Sequence, residues 1–162
     1  MIQIFLSHSM RDREWCEWLK ASAAEMGINA YLSEHNPSPG KNLAEKIIAA
    51  INESEAVVVL ISQNSDGSQW VHQEIGCAVH AKKLIIPLVQ PGIASETLAM
   101  LQGVEYIPFD FANPHEGHMQ LRTALQKLVA KQLQKQVAKE QRDTALLALA
   151  CVALVLLTLE AS

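Results

Sequence analysis

The sequence predicts an α/β fold in which helices cover both faces of a five-stranded parallel sheet. Short β-rich runs alternate along the chain with longer segments whose apolar residues recur every three or four positions, a pattern typical of βαβ units with right-handed crossovers. The run AVVVLIS (56–62) is apolar up to its final serine, which is typical of a central strand buried on both faces. These observations favour the strand order 2-1-3-4-5, the flavodoxin-like arrangement.

The first half of the chain supplies two strands and two helices around that central strand. IQIFL (2–6) and INAYLS (28–33) are rich in β-forming residues, and the helix predicted between them at 12–27 ends at a glycine. Two prolines and a glycine mark 34–42 as a loop, and a second helix is predicted at 43–54. The apolar residues expected to face the core from these helices are Trp15, Trp18, Leu19, Ala23, Leu43, Ile47, Ile48 and Ile51.

The second half continues the alternation. A polar turn after the central strand leads into a helix predicted at 68–83. A fourth strand is expected at 84–89, a short helix at 95–103 and a fifth strand at 104–111. The core-facing residues of the helix at 68–83 are expected to be Val71, Ile75, Ala78 and Val79.

The last third of the chain has a different composition. The segment 118–143 is rich in Gln and Lys and predicts one long helix that leaves the domain, whereas 144–159 is free of charged residues. We therefore expect a core domain at 1–116, a polar and basic helix at 117–143 and an apolar helix at 144–159. The first half of the polar helix has an apolar edge formed by Leu121, Leu125, Leu128 and Leu133.

The apolar helix at 144–159 has two interpretations. Its sixteen residues would cover about 24 Å, less than the roughly 30 Å of a hydrocarbon core, but basic residues precede it as the positive-inside rule requires. We expect a C-terminal anchor in the inner membrane with the domain on the cytoplasmic side. The alternative is a hydrophobic helix in a homo-oligomeric bundle. Either arrangement would gather copies of the domain.

Charge and cysteine content argue against several classes of protein, among them nucleic-acid-binding, disulfide-rich and zinc-binding proteins. Residues 1–116 carry seven Lys or Arg against fourteen Asp or Glu, and 117–162 carry six against three. Because phosphate binding needs a concentrated basic face, this acidic domain argues against nucleic acid as a partner. The three cysteines lack the spacing of a disulfide framework or a zinc site, and the chain begins with a strand rather than a signal peptide. We therefore expect a cytoplasmic domain.

The carboxyl edge of the sheet is the expected site, because open α/β sheets bind ligands where the strand order reverses. Three segments should meet there: SHS (7–9) after the first strand, the loop 34–42 after the second, and SQNSDGS (62–68) after the third. Glu74 lies on the helix that follows, one turn after Trp70, and with Glu34 is a carboxylate well placed for this cleft. The alternative is that Glu74 is a solvated charge on the helix surface.

A single carboxylate suits cleavage of an N-glycosidic bond in NAD+. Nicotinamide is cationic in NAD+ and leaves as a neutral molecule, so no general acid is required. An ionised carboxylate can bind the ribose hydroxyls and stabilise the positive charge that develops on the sugar. The helix N-terminus would keep Glu74 ionised, and Trp70 could stack on a ring. His72 and His80 have no third ligand in view, so we expect no metal site.

The order of four motifs resembles that of a TIR (Toll/interleukin-1 receptor-like) domain, of the prokaryotic kind that cleaves NAD+. The motifs are IFLSHS, AYLSEHNPSPGK, AVVVLIS and WVHQEI, which lie between about residues 2 and 111. The resemblance implies that Glu74 is catalytic. It also implies a substrate pocket lined by Ser7, His8, Ser9, Ser33, Glu34 and Trp70. Many members of this family carry an acidic residue at the end of the second strand. This chain has Ser33 at that position, and Glu34 is the next residue.

The function implied by the resemblance is that of an NAD+ glycohydrolase or cyclase that gives ADP-ribose or a cyclic isomer. By the same resemblance we expect assembly with other copies to activate it, a role in bacterial anti-phage immunity, and NAD+ as a substrate with no cofactor. The alternative is a non-catalytic TIR scaffold that associates with other TIR domains at a membrane. A third interpretation is a nucleoside deoxyribosyltransferase-like enzyme with a glutamate nucleophile.

Overall fold

The structure is a computed structural model that describes residues 2–33, 43–65, 67–93 and 96–160, apart from the side chains of Glu96 and 152–160. The predicted loop at 34–42, and with it Glu34, lies outside the described residues.

Five parallel strands form one sheet in the order β2-β1-β3-β4-β5, which confirms the predicted arrangement. Hydrogen-bond register places Ile4 opposite both Ala30 and Ala56. The strand order reverses at β1, so the carboxyl ends of β1 and β3 flank the switch point. The strands are β1 (Ile2–Ser7), β2 (Ile28–Leu32), β3 (Ala56–Ile61), β4 (Leu84–Val89) and β5 (Ile107–Pro108).

In the residues that the structure describes, five α-helices connect and follow the strands, and a 3₁₀ turn at Met10–Asp12 precedes the first of them. The two helices predicted at 118–143 and 144–159 are one continuous helix, since neither Pro nor Gly occurs within 118–159. The segments predicted as a helix at 95–103 and a strand at 104–111 contain shorter elements than expected. The helices are α1 (Arg13–Glu25), α2 (Leu43–Glu53), α3 (Gln69–His80), α4 (Glu96–Ala99) and α5 (His115–Glu160).

The central strand β3 is buried at all six positions, as predicted for a strand covered on both faces. Alternate residues of β3 join a core cluster to which α2 and α3 also contribute, so these two helices cover the same face of the sheet. Helix α1 packs near β2. The main strand and helix residues of the cluster are Phe5, Val57, Val59, Ile61, Ile47, Ile51, Val71 and Ile75.

Three residues that were expected to face the core are exposed instead. Val79 is 54% exposed, Ile48 44% and Trp18 39%. Each lies about 100° around its helix from a buried neighbour, because successive helical residues are separated by that angle. Val79 therefore falls outside the buried face of α3, whose centre lies between Val71 and Ala78.

The chain divides into two compact units, Met1–Thr123 and Ala124–Ser162. The first unit holds the sheet, α1 to α4 and the first two turns of α5. In those turns His118 Nε2 lies 2.6 Å from Ser22 Oγ, and Arg122 donates to Glu25 at 3.1 Å. A Cβ atom on Gly117 would lie 2.5 Å from the Pro108 carbonyl oxygen. The glycine thus permits close packing of α5 next to β5.

The second unit is the remainder of α5, and many of its apolar side chains are exposed. In the described part of the chain, no helix has a stretch apolar and long enough to cross a bilayer. The membrane anchor predicted at 144–159 therefore lacks structural support. Among its described side chains, the exposed leucines are Leu133, Leu146, Leu147 and Leu149.

Candidate active site

Glu74 is fully buried in the second turn of α3, at the carboxyl edge of the sheet. The hydroxyl of Ser7, the last residue of β1, donates to Glu74 Oε2 at 2.5 Å. The hydroxyl of Ser33, directly after β2, donates to Glu74 Oε1. Both carboxylate oxygens are therefore held by side chains from neighbouring strand ends. The interpretation of Glu74 as a solvated surface charge is wrong.

Burial raises the pKa of Glu74 from 4.5 to about 7, although the hydroxyls of Ser33 and Ser7 act in the opposite direction. We expected the helix N-terminus to keep this group ionised. Glu74 is the sixth residue of α3, however, and the effect of a helix dipole fades beyond the first turn. Desolvation therefore dominates, and Glu74 changes its charge near neutral pH.

The other residues predicted for the pocket take different positions. His8 is fully buried next to Ser7. Ser9 is also buried, but its hydroxyl accepts from the Arg11 N–H at 3.4 Å and so caps the 3₁₀ turn. Trp70 lies one turn before Glu74 and is 40% exposed. The described part of the site thus combines a buried carboxylate and its hydroxyl donors with an exposed aromatic ring on the same helix.

The start of α3 is fixed by local capping. The hydroxyl of Ser68 accepts from the Val71 N–H at 3.5 Å, and the Ser68 carbonyl accepts from the His72 N–H at 3.1 Å. His72 Nε2 lies 2.9 Å from the hydroxyl of Thr97. Within the described ranges, no group of three His, Cys, Asp or Glu residues could hold a metal ion. The chemistry available here is that of a carboxylate, hydroxyls and imidazoles.

Sequence reasoning missed Asp12, a carboxylate that is 1% exposed and lies close to this edge of the sheet. The Ser62 hydroxyl donates to Asp12 Oδ2 at 2.5 Å, and the Asn64 amide donates to Oδ1 at 2.6 Å. The spacing of Ser9 and Asp12 is that of a capping box, which could have drawn attention to this residue. The partners of Asp12 lie 50 and 52 positions away and could not be predicted from that signal.

Cys16 completes the buried surroundings of the site. Its pKa is raised by burial and by the negative charges of Asp12, Glu17 and Glu74. Asp12 and Glu74 therefore both lie close enough to act on this thiol. Because a thiol with a raised pKa is a poor nucleophile, Cys16 does not form a Cys-based catalytic site.

Comparisons with known proteins agree with the fold and motifs. The family profile described as TIR domain matches residues 4–129. Human Toll-like receptor 1 is 32% identical over 94 residues, which are 54% of this chain and 12% of that receptor. A Brachypodium distachyon protein, described as probable 2′ cyclic ADP-D-ribose synthase BdTIR, is 26% identical over 113 residues. The match covers 67% of this chain and half of BdTIR.

Among solved structures, the Clostridium botulinum CMP N-glycosidase BcmB superposes with a TM-score of 0.58 at 23% identity. The match covers 75% of this chain and 98% of BcmB. At this level of identity, the similarity shows a shared fold.

Proposed function

This chain belongs to the TIR domain family, and we propose that it is an enzyme that cleaves the bond between nicotinamide and ribose in NAD+, with Glu74 as its catalytic residue. The observation that carries the proposal is the complete burial of the Glu74 carboxylate between two hydroxyl donors. A buried carboxylate with a pKa shifted toward neutrality is typical of catalytic sites.

In the proposed reaction, the glycosidic bond breaks and its electron pair moves onto the nicotinamide nitrogen. Positive charge then develops on the ribose, and ionised Glu74 stabilises it in surroundings of low dielectric constant. The ribose hydroxyls would donate to Glu74 beside the serine hydroxyls, since each carboxylate oxygen can accept more than one hydrogen bond. Water that adds to the ribose and loses a proton gives ADP-ribose, whereas a nucleophile within the same molecule gives a cyclic isomer.

Trp70 is proposed to bind the substrate through its exposed ring. The ring lies one helical turn before Glu74 and offers a flat apolar surface for an aromatic base. Ser7 and Ser33 would orient the carboxylate, and Glu34 remains a candidate for substrate binding in the segment outside the described residues. NAD+ acts as substrate in this proposal, and no further cofactor is required.

The relatives support this choice of substrate to different degrees. BdTIR is described as a probable synthase of a cyclic ADP-ribose, a product that requires the same bond to break. BcmB is described as acting on the glycosidic bond of CMP. Since this chain spans only part of the length of BdTIR and of the Toll-like receptor, the activity, substrate and partners of the whole protein remain proposals.

We further propose that copies of the chain associate, and that association activates the enzyme in bacterial immune signalling against phages. The exposed leucines of the second unit provide apolar surface that a second copy could cover. Leu146, Leu147 and Leu149 are each more than half exposed. This part of the proposal rests on the resemblance to prokaryotic NAD+-cleaving TIR domains and on that exposed surface.

A non-catalytic scaffold is the second candidate function, and one observation favours it. Both oxygens of Glu74 already accept hydrogen bonds from serines, as expected for a carboxylate with a purely structural role. In that case the chain would act by binding other TIR domains.

The experiment that separates these functions is nicotinamide release from NAD+ by the full-length purified chain at low and high protein concentration. Glu74→Gln should reduce release at least a hundredfold while the protein stays folded, because a neutral amide cannot stabilise the ribosyl cation. Glu105→Gln is the matched control, since Glu105 is exposed. CMP serves as a second substrate. The absence of release from NAD+ at every concentration would refute the enzyme, and release of cytosine instead would assign a different substrate.

A further inference from the structure

We propose that Asp12 is a positioning residue that ties the end of β1 to the start of α3 and thereby holds Glu74 and Trp70 in place for the reaction. The expected effect of Asp12 on the reaction rate rests on the proposed function. The expected effect of Asp12 on the structure, a fixed start of α3, can be tested without any substrate.

Asp12 makes its contacts across the carboxyl edge of the sheet. Its own N–H donates to the Ser9 carbonyl at 2.9 Å, which fixes it directly after the segment that carries Ser7. Its carboxylate accepts from the side chains of Ser62 and Asn64, which follow β3. Because hydrogen bonds to a buried charge are stronger than those between neutral groups, these contacts hold the two loops together.

From Ser62 the hydrogen bonds continue toward α3. The Ser62 N–H donates to the Ser65 hydroxyl at 2.8 Å, and that hydroxyl donates to the Ser62 carbonyl at 3.0 Å. The Ser65 carbonyl then accepts from the Ser68 N–H at 3.0 Å. Ser68 is the N-cap of α3, so an unbroken series of contacts joins Asp12 to the helix that carries Glu74.

We place Asp12 as a residue that acts through the start of α3 and not on the substrate, because the side chains that hold its carboxylate belong to the loop after β3. It is 1% exposed, and both of its oxygens accept hydrogen bonds from side chains. Burial raises the pKa of Glu74 and the two serine hydroxyls lower it, and Asp12 is not among the causes of the shift. Loss of the Asp12 charge should therefore loosen the start of α3 without a direct electrostatic effect on the ionisation of Glu74.

The test uses the full chain with Asp12→Asn and Ser62→Ala. Each of these two tether variants weakens the hydrogen bond between Asp12 and Ser62, from the acceptor side and the donor side respectively. Ser54→Ala is the matched control, because Ser54 is equally buried but donates to the Ala50 carbonyl at the end of α2. We expect kcat for nicotinamide release to fall about tenfold in both tether variants, with the pH of half-maximal rate unchanged. The control should lose thermal stability without a change in kcat.

Amide hydrogen exchange provides the readout that does not depend on activity. The N–H groups of Ser65, Ser68 and Val71 should exchange at least tenfold faster in the tether variants than in Ser54→Ala. If exchange and kcat in both tether variants match those of the control, the inference is overturned. If the wild-type chain releases no nicotinamide, the proposed function fails, and the exchange comparison alone decides whether Asp12 fixes the start of α3.

Discussion

Replacing Ser33 by alanine removes one of the two hydroxyl donors to Glu74 and should raise the pKa of this carboxyl further. A hydrogen bond to a charged group contributes about 1.5–3 kcal/mol, and one pKa unit corresponds to about 1.4 kcal/mol. Since Ser7 still donates to the other oxygen, we expect an upward shift of about one unit from the wild-type value of about 7. The variant should therefore hold its carboxylate mostly protonated at pH 7.

The assay is kcat/KM for nicotinamide release measured between pH 5.5 and 9.5. Because the ionised form is the active one, the rate should rise with pH through the pKa of Glu74. Ser33→Ala should move the midpoint of that rise upward by about one pH unit, so that its rate is about fivefold lower at pH 7 and close to wild type at pH 9. Ser54→Ala should leave the midpoint in place. A midpoint in Ser33→Ala that stays constant or moves downward would refute the assignment of this hydroxyl as a donor to the ionised carboxylate.

Three further predictions concern stability and binding. The folded pKa of Glu74 lies above its ordinary value, so its favourable contribution is complete below about pH 4.5 and is lost as the pH rises through about 7. Glu74→Gln should therefore gain stability relative to wild type as the pH rises, reaching about 3 kcal/mol at pH 8 in urea unfolding, and a constant difference between pH 4.5 and 8 would contradict this. Gly117→Ala should lower stability by about 1–3 kcal/mol, because its Cβ would lie 2.5 Å from the Pro108 carbonyl oxygen. Gly76→Ala, with nothing within 4 Å, should instead raise stability by about 1 kcal/mol, and equal melting temperatures for the two variants would count against the close contact. Trp70→Ala should raise KM for NAD+ about tenfold with little change in melting temperature, and Trp70→Phe should restore most of the affinity; an unchanged KM in the alanine variant would remove Trp70 from the binding site.

The sheet could be predicted from sequence because its signals are local. The apolar run that became β3 and the alternation of strands and helices were sufficient for the strand order. The predicted bounds of α4 and β5 were too long, since short elements have few periodic positions from which their ends can be read. The start of α5 was predicted at 117–118 and lies at His115, because the packing of Gly117 next to β5 depends on residues that are not its sequence neighbours.

The burial of Glu74 could not be predicted from the helical pattern alone. Around α3, Glu74 lies about 60° to one side of Val71, and Val79 lies about 80° to the other side. By helical periodicity, both residues lie at the boundary between the buried and the exposed face of α3. Val79 was favoured for the core because it is apolar. The structure buries Glu74 and exposes Val79, because Ser7 and Ser33 supply hydrogen bonds that satisfy a buried carboxylate. Those partners lie at the ends of β1 and β2, far from α3 in sequence, and the loop that Asp12 holds follows β3.

The raised pKa of Cys16 also determines how the protein responds to oxidants and electrophiles. Peroxide and alkylating reagents attack the thiolate, and this side chain is buried and held in its neutral thiol form. Cys151 is exposed and Cys77 is partly so, and these two residues should react first. The native chain thus carries attachment points for a fluorophore or spin label, and a label can be introduced without any substitution while the interior around Glu74 stays unmodified.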